Sequence, residues 1–223
     1  MFVQVARLGP AYWDWVHRPS SQRTFRMFRY DFFEFFAATS WWAIPVVWLP
    51  IIAFLMWRAT GTAALSQASI IVWFMGGFLL WTFLEYMLHR FLFHILFSQS
   101  HFFITFHFLL HGQHHKFPLD KGRLVFPPVA GFMMASPFYL LFRSLLSAPT
   151  ADTLMAGALL GYVSYDLIHY YLHHGKPTLA YFQDLKDYHR RHHYKEPDLG
   201  YGISSKLWDY PFGTLLGSNG TKQ

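Results

Sequence analysis

The sequence predicts an all-α integral membrane protein with about four transmembrane helices in two hairpins, capped by a histidine-rich helical region on the cytoplasmic side. Three observations carry that expectation. Of 223 residues, 53% are hydrophobic and 21% aromatic, but only 13% are charged, whereas a soluble domain carries about 25% charged residues. Apolar runs recur at close to the roughly 20 residues that a helix needs to cross a bilayer core. Fourteen histidines are present, and thirteen of them fall between His89 and His193, mostly where apolar runs end.

The first run, Phe35 to Trp57, holds no charge; Pro45 and Pro50 should kink it without preventing a span. The second, Ala68 to Leu88, has Glu85 as its only charge, and the connection Arg58 to Gln67 contains Gly61, implying a tight hairpin. The third, Leu124 to Phe142, contains Pro127, Pro128 and Pro137. The fourth begins near Asp152, a plausible N-cap, and reads as helix through Tyr171; only Thr153 to Tyr165 is uncharged, so pairing with the third run is what makes it a span. Residues 1–34 read as an N-terminal interfacial segment, with Thr24 to Phe36 interleaving Arg with Phe and Tyr as an interfacial helix. Phe91 to Leu110 is apolar enough to span but holds His94, His101 and His107, which are costly at bilayer depth; it is expected to lie at the interface or over the histidine site. The chain fits one domain, 1–223.

Charge tests the layout. Two hairpins leave only Arg58 and Arg143, of 18 Lys and Arg residues, at the opposite tips, and the other 16 fall on one shared side. By the positive-inside rule that side is cytoplasmic. The net charge of +6 forms no long basic run, which suits anionic headgroups better than nucleic acid. Absence of cysteine excludes disulfides, thiolate nucleophiles and thiolate-ligated metals. Met1 to Pro10 has no apolar core of a signal peptide, so none is expected.

The histidine spacing follows helix geometry. At about 100° per residue, positions i, i+3 and i+4 share a face. His111, His114 and His115 form such a set, as do His189, His192 and His193, and His169 and His173 are an i, i+4 pair. His89 and His94 are five apart, about 140° around an α-helix, so they converge only if the helix bends or ends between them. Isolated His17 and His101 read as ordinary structural histidines. Clusters spread over some hundred residues and set in helical pattern differ from a contiguous scavenging tract. Ten or more imidazoles exceed the needs of one ion and suit two. Imidazole suits iron, copper, nickel and zinc alike. Glu85, four residues before His89, and Asp166, three before His169, are placed to accept a ring N–H from a ligand histidine.

These motifs resemble the fatty acid hydroxylase superfamily of integral-membrane di-metal enzymes, most closely its fatty acid 2-hydroxylase branch. The likeness lies in HRFLFH from His89, HFLLHGQHHKFPLDKGRLVFPP from His107, YDLIHYYLHHGKP from Tyr165 and YHRRHHYKEPDLGYGISSKLWDYPFGT from Tyr188. It spans roughly Glu85 to Thr214. The resemblance implies ten metal ligands: His89, His94, His111, His114, His115, His169, His173, His189, His192 and His193. His107 and His174 belong to the same motifs as supporting groups, and Tyr165 and Asp166 are implied to lie near the metals. Also implied is oxygen-dependent hydroxylation at carbon 2 of a fatty-acyl chain, either free or in an acyl lipid such as an N-acyl sphingolipid or ceramide. Zinc is a possible bound ion, but it has no accessible redox chemistry, so a working oxygenase needs two irons, with dioxygen as co-substrate. Many eukaryotic members begin with a b-type cytochrome domain for which this chain has no room. Electrons are therefore expected from a separate protein, a b-type cytochrome or a ferredoxin with its reductase. The expected location is the endoplasmic reticulum or a bacterial inner membrane.

Three rivals were weighed. A membrane desaturase or sterol-methyl oxidase shares the histidine spacing. A metal transporter should place its ligands near the bilayer midplane, not at helix ends. A zinc hydrolase needs fewer ligands and an open position.

Overall fold

Proline placement, apolar runs and small residues set where the helices of this chain start, stop and touch. The computed structural model describes residues 2–61, 64–96 and 98–217. Short helices α1 (Phe2–Ala6), α2 (Tyr12–Val16) and α3 (Asp31–Ala37) precede α4 (Ala43–Thr60) and α5 (Gln67–Leu88). A π turn, His89–Phe93, extends α5. Next come α6 (His101–His107), a second π turn (Phe108–Gly112), α7 (Gln113–Lys116), α8 (Pro128–Leu145), α9 (Ala148–His174) and α10 (Ala180–Tyr194). No strand occurs among the described residues.

Two segments, Ala43–Thr60 and Gln67–Phe93, are long and apolar enough to cross a membrane. Their outer faces are apolar and uncovered, with Val46, Leu49, Phe54 and Trp57 on α4 and Ile71, Val72, Met75 and Leu79 on α5. The outward face of α8 is similar, carrying Met133, Leu140, Leu141 and Leu145. An apolar surface this extensive is unstable against water. The 27-residue α9 is the reverse: it is buried over most of its length and packs chiefly on α5 and α4. Its polar character in sequence follows from that position, since protein and not solvent surrounds it.

Between lipid-facing helices, burial of apolar area gives little drive, so association rests on close packing at small residues. At the α5–α9 crossing a Cβ added to Gly77 would collide with the Leu154 carbonyl oxygen. One added to Gly157 would collide with that of Phe74. The two backbones are thus in reciprocal contact, and no side chain fits between them.

Asp152 does not cap α9. The helix starts at Ala148, with Pro149 in its first turn and Ser147 Oγ 2.7 Å from Thr150 Oγ1. Proline suits a first turn because its missing N–H is not needed there. Asp152 is instead buried, accepting from Tyr139 Oη at 2.6 Å and pairing with Arg58 at 3.2 Å and Arg143 at 3.5 Å. Both expected hairpin tips therefore meet at one end of α9. The residues Asp152 and His169 are separated along that helix by about 26 Å, close to the roughly 30 Å of a hydrocarbon core. Residues 62 and 63 of the first connection lie outside the described residues.

Two other boundaries differ from expectation. Thr24 to Phe36 is not one helix: α3 begins only at Asp31. Upstream, the backbone N–H of Phe25 donates to Asp120 at 2.8 Å and that of Phe28 to Glu34 at 2.8 Å. Carboxylates thereby take donors that a helix would have used internally. The third run turns helical only at Pro128, so Leu124–Pro127 is a non-helical approach to α8. Within Phe91–Leu110 the first π turn ends at Phe93, α6 covers His101–His107 and the second π turn begins at Phe108; Phe97 lies outside the described residues.

The Gly157→Leu variant should lose about 3 kcal/mol of stability through forced separation of α5 and α9, read as a lowered thermal midpoint in detergent. An unchanged midpoint would contradict the close crossing.

Candidate metal centre

Four stretches of chain deliver the ten histidines to one place. His89 opens the π turn after α5 and His94 follows it directly. A π turn closes i→i+5 hydrogen bonds, so it aligns residues five apart. This is the departure from α-helix that the HxxxxH spacing required. His111 lies in the second π turn, His114 and His115 in α7, His169 and His173 in the last turns of α9, and His189, His192 and His193 in α10.

The side chains sort into two groups of five, each with one ring nitrogen per residue within 4.8 Å of all the others: His89, His94, His111, His115 and His192, and then His114, His169, His173, His189 and His193. The HxxHH motifs do not each aim at one point, as their helical spacing suggested. In both, the i and i+4 histidines join one group and the i+3 histidine crosses to the other. The His115 and His193 rings stack at 4.2 Å between the groups. The two sites are therefore built from shared helices and cannot be formed separately.

Internal distances identify what the groups can hold. His189 Nε2 lies 3.0 Å from His169 Nε2, 2.8 Å from His173 Nε2 and 3.0 Å from His193 Nε2. In the other group His89 and His111 Nε2 are 3.1 Å apart, as are His94 and His192 Nε2. One imidazole nitrogen cannot hydrogen-bond three others, since it carries one proton or one lone pair. With metal–nitrogen bonds of about 2.1 Å, ligands at right angles stand about 3.0 Å apart. The spacings are those of coordination edges, so the donor set fits metal ions at both groups.

The rings are held neutral. Burial, reinforced by neighbouring imidazoles, keeps His94, His111, His114, His115, His189 and His193 well below the usual histidine range. Neutral imidazole is the ligating form. Tautomers are fixed from outside by one loop: His192 Nδ1–H donates to the Leu199 carbonyl at 2.7 Å and His89 Nδ1–H to the Tyr201 carbonyl at 2.6 Å. Both carbonyls turn inward about Gly200, whose φ of 73° lies in the left-handed region. A Cβ there would also press on Leu216 and Tyr188.

Two buried carboxylates hold that loop. Asp209 accepts from the backbone N–H of Tyr201 at 3.0 Å and Gly202 at 2.9 Å. Glu85 accepts from the N–H of Ile203 at 2.9 Å and Ser204 at 2.7 Å, and from the Ser204 hydroxyl. Glu85 thus does not accept a ring N–H from a histidine; it acts on His89 through the loop. Asp166 likewise accepts from the backbone N–H of Phe126 at 3.3 Å, not from His169. Tyr165 stacks beside His169 at 5.7 Å. His107 accepts at Nδ1 from the Tyr12 hydroxyl at 2.6 Å. His174 sits against Tyr170 and enters neither group. Of the two isolated histidines, His101 is on the surface, while His17 packs its ring on His115 at 5.2 Å and His94 at 5.9 Å. Spacing gave no hint of that position, because His17 reaches the site by the fold of the N-terminal segment. Spacing also missed Gly200 and Asp209.

An apolar cavity lies between α4, α5, α8 and α9, walled by residues such as Trp48, Trp81, Met134, Phe138 and Leu159. A smaller polar chamber shares Phe93, Phe126 and Tyr165 with it as lining residues. That chamber is lined by His111, His114, Asp166 and His169.

Fold and site together define a helical protein with bilayer-length helices, a buried ten-histidine centre at one end and an apolar cavity beside it. The fatty acid hydroxylase family model matches residues 74–214, and the chain belongs to that family. It is 45% identical over 216 residues to dihydroceramide fatty acyl 2-hydroxylase FAH1 of Arabidopsis thaliana, covering 96% of this chain and 90% of that one. It is 42% identical over 231 residues to fatty acid 2-hydroxylase of Homo sapiens, covering 95% of this chain and 62% of that one. A solved structure of full-length scs7p, in which only the hydroxylase domain is visible, superposes with a TM-score of 0.90 at 40% identity, covering 96% of this chain and 83% of that one.

Gly200→Ala should weaken metal retention about 10–100-fold by displacing the carbonyls behind His89 and His192, measured by competition with a chelator. Unaltered retention would contradict the role given to the loop.

Proposed function

We propose that this protein is a membrane oxygenase that hydroxylates carbon 2 of a fatty-acyl chain, with dioxygen as co-substrate. The observation that carries the reading is the apolar cavity beside the ten-histidine centre, in a chain whose relatives are fatty acid and dihydroceramide 2-hydroxylases. The cavity suits an acyl chain and the polar chamber its head.

The ten histidines are proposed as ligands of two irons, five to each. Bound iron would supply the reductive activation of dioxygen that insertion into an unactivated C–H bond needs, which zinc cannot. The protein's own share is positional. Trp48, Trp81, Phe138 and their neighbours hold the acyl chain and exclude water. Phe93, Phe126 and Tyr165 form the throat through which its carbon 2 end meets the centre. Glu85, Asp166 and Asp209 keep the surrounding backbone in register. Two electrons come from a separate donor protein.

Four spans in two hairpins are proposed, with the histidine centre just outside the bilayer on the cytoplasmic side, within one domain of 1–223. Support comes from the uncovered apolar faces of α4, α5 and α8. The convergence of Arg58 and Arg143 on Asp152, at the end of α9 opposite His169, adds to it.

Lipid mass spectrometry on cells expressing the protein, beside His114→Ala and His192→Ala, tests the reading. A 2-hydroxyacyl lipid should appear only with the intact chain, while both variants still insert in the membrane and hold less metal. Full activity in both variants, or a new double bond or oxidised sterol in place of the hydroxyacyl product, would overturn it.

A further inference from the structure

Two residues that line the polar chamber beside the histidines each carry a buried atom without a partner among the described residues, Arg123 Nη1 and Gln113 Oε1. Arg123 is 5% exposed, and its other terminal nitrogen is committed, donating to the Phe25 carbonyl at 3.2 Å and to the Glu34 carboxylate. Gln113 Nε2 donates to the Leu109 carbonyl at 2.9 Å, which assigns the amide so that the oxygen is its free end. Buried polar atoms are ordinarily satisfied, and those left over at a site call for a ligand.

One donor and one acceptor lining a single chamber match a group that offers one acceptor and one donor. We propose that Arg123 and Gln113 clamp the secondary amide of an N-acyl lipid, Arg123 Nη1 donating to the acyl carbonyl and Gln113 Oε1 accepting the amide N–H. The assignment rests on the hydroxylase reading above and makes that reading specific. Carbon 2 is bonded directly to the carbonyl carbon, so fixing the carbonyl fixes which methylene stands at the throat formed by Phe93, Phe126 and Tyr165. Charge favours the amide over a free fatty acid. The Arg123 guanidinium is already paired with Glu34, and Asp166 lines the same chamber. A substrate carboxylate would meet an acceptor oxygen and a second carboxylate, with no uncompensated cation to hold it. The neutral amide meets a partner at both ends.

The two residues have separable effects. Arg123 reads the carbonyl, present in an amide or an ester; Gln113 reads the N–H, present only in the amide. The test compares the purified full-length, metal-loaded protein on an N-acyl sphingoid base and on an O-acyl analogue of equal chain length, scoring kcat/KM for 2-hydroxylated product. The native protein should prefer the amide about tenfold. Gln113→Met should bring that ratio close to one with bound metal unchanged. Arg123→Lys keeps a charge opposite Glu34 but lacks the second arm of the fork. It should lower kcat/KM on both substrates alike, keep the ratio, and release some product hydroxylated at other carbons. Persistence of the amide preference in Gln113→Met would overturn the clamp. So would native protein that turns over the ester or the free acid as well as the amide, an outcome that depends on no variant's folding. Native protein giving no 2-hydroxylated product from any of them would instead overturn the hydroxylase reading itself.

Discussion

Ten buried imidazoles gathered in one place are the constraint around which the rest of this structure is arranged. Eight of their ring nitrogens are buried without partners among the described residues. At about 1–3 kcal/mol for each unanswered group, the total is on the order of 10 kcal/mol, comparable with the whole stability of an ordinary domain, about 5–15 kcal/mol. Three Nε2 atoms crowd to between 2.8 and 3.0 Å of His189 Nε2, more contacts than one imidazole nitrogen can make as hydrogen bonds. An ion at each group would answer the crowded Nε2 atoms and one nitrogen each of His114 and His115, though not the Nδ1 atoms of His94, His169, His189 and His193. Loading and folding of the cap are then coupled.

Fixing those rings explains the placement of other unusual residues. The π turns carry His89 into register with His94 and set His111 against His115. Glu85 and Asp209 are buried carboxylates, costly unless paired or hydrogen-bonded, and both are satisfied by backbone N–H groups of the loop that orients His89 and His192. At the far end of α9, Asp152 is balanced by Arg58 and Arg143. Between these polar ends, α9 crosses α5 at Gly77 and Gly157, which leaves the apolar cavity to one side of the contact.

Local pattern disclosed most of the elements and the clustered histidines but not the arrangement. Runs of apolar residues announced α4 and α5, and charge at their ends announced the hairpin tips. Histidine spacing and the family resemblance together pointed to the ten residues that the fold brings together, because i, i+4 neighbours are properties of a single helix. The division of each HxxHH motif between two groups was not legible, since it depends on how α7 and α10 approach α9. Glu85 and Asp166 were expected to touch histidines because they lie one turn away. The fold instead gave their oxygens to Ile203, Ser204 and Phe126, partners distant in sequence. Asp152 was misjudged for the same reason: a helix-start aspartate looks like a cap until long-range packing assigns its neighbours.

The central claim is that two metal ions share this one set of helices. Metal analysis of the purified full-length chain, with X-ray absorption at the metal edge, tests it most directly. Two ions per chain in a shell dominated by imidazole nitrogen is the expected result. A single ion per chain at saturating metal, or a shell dominated by carboxylate oxygen, would contradict the assignment of five histidines to each of two sites.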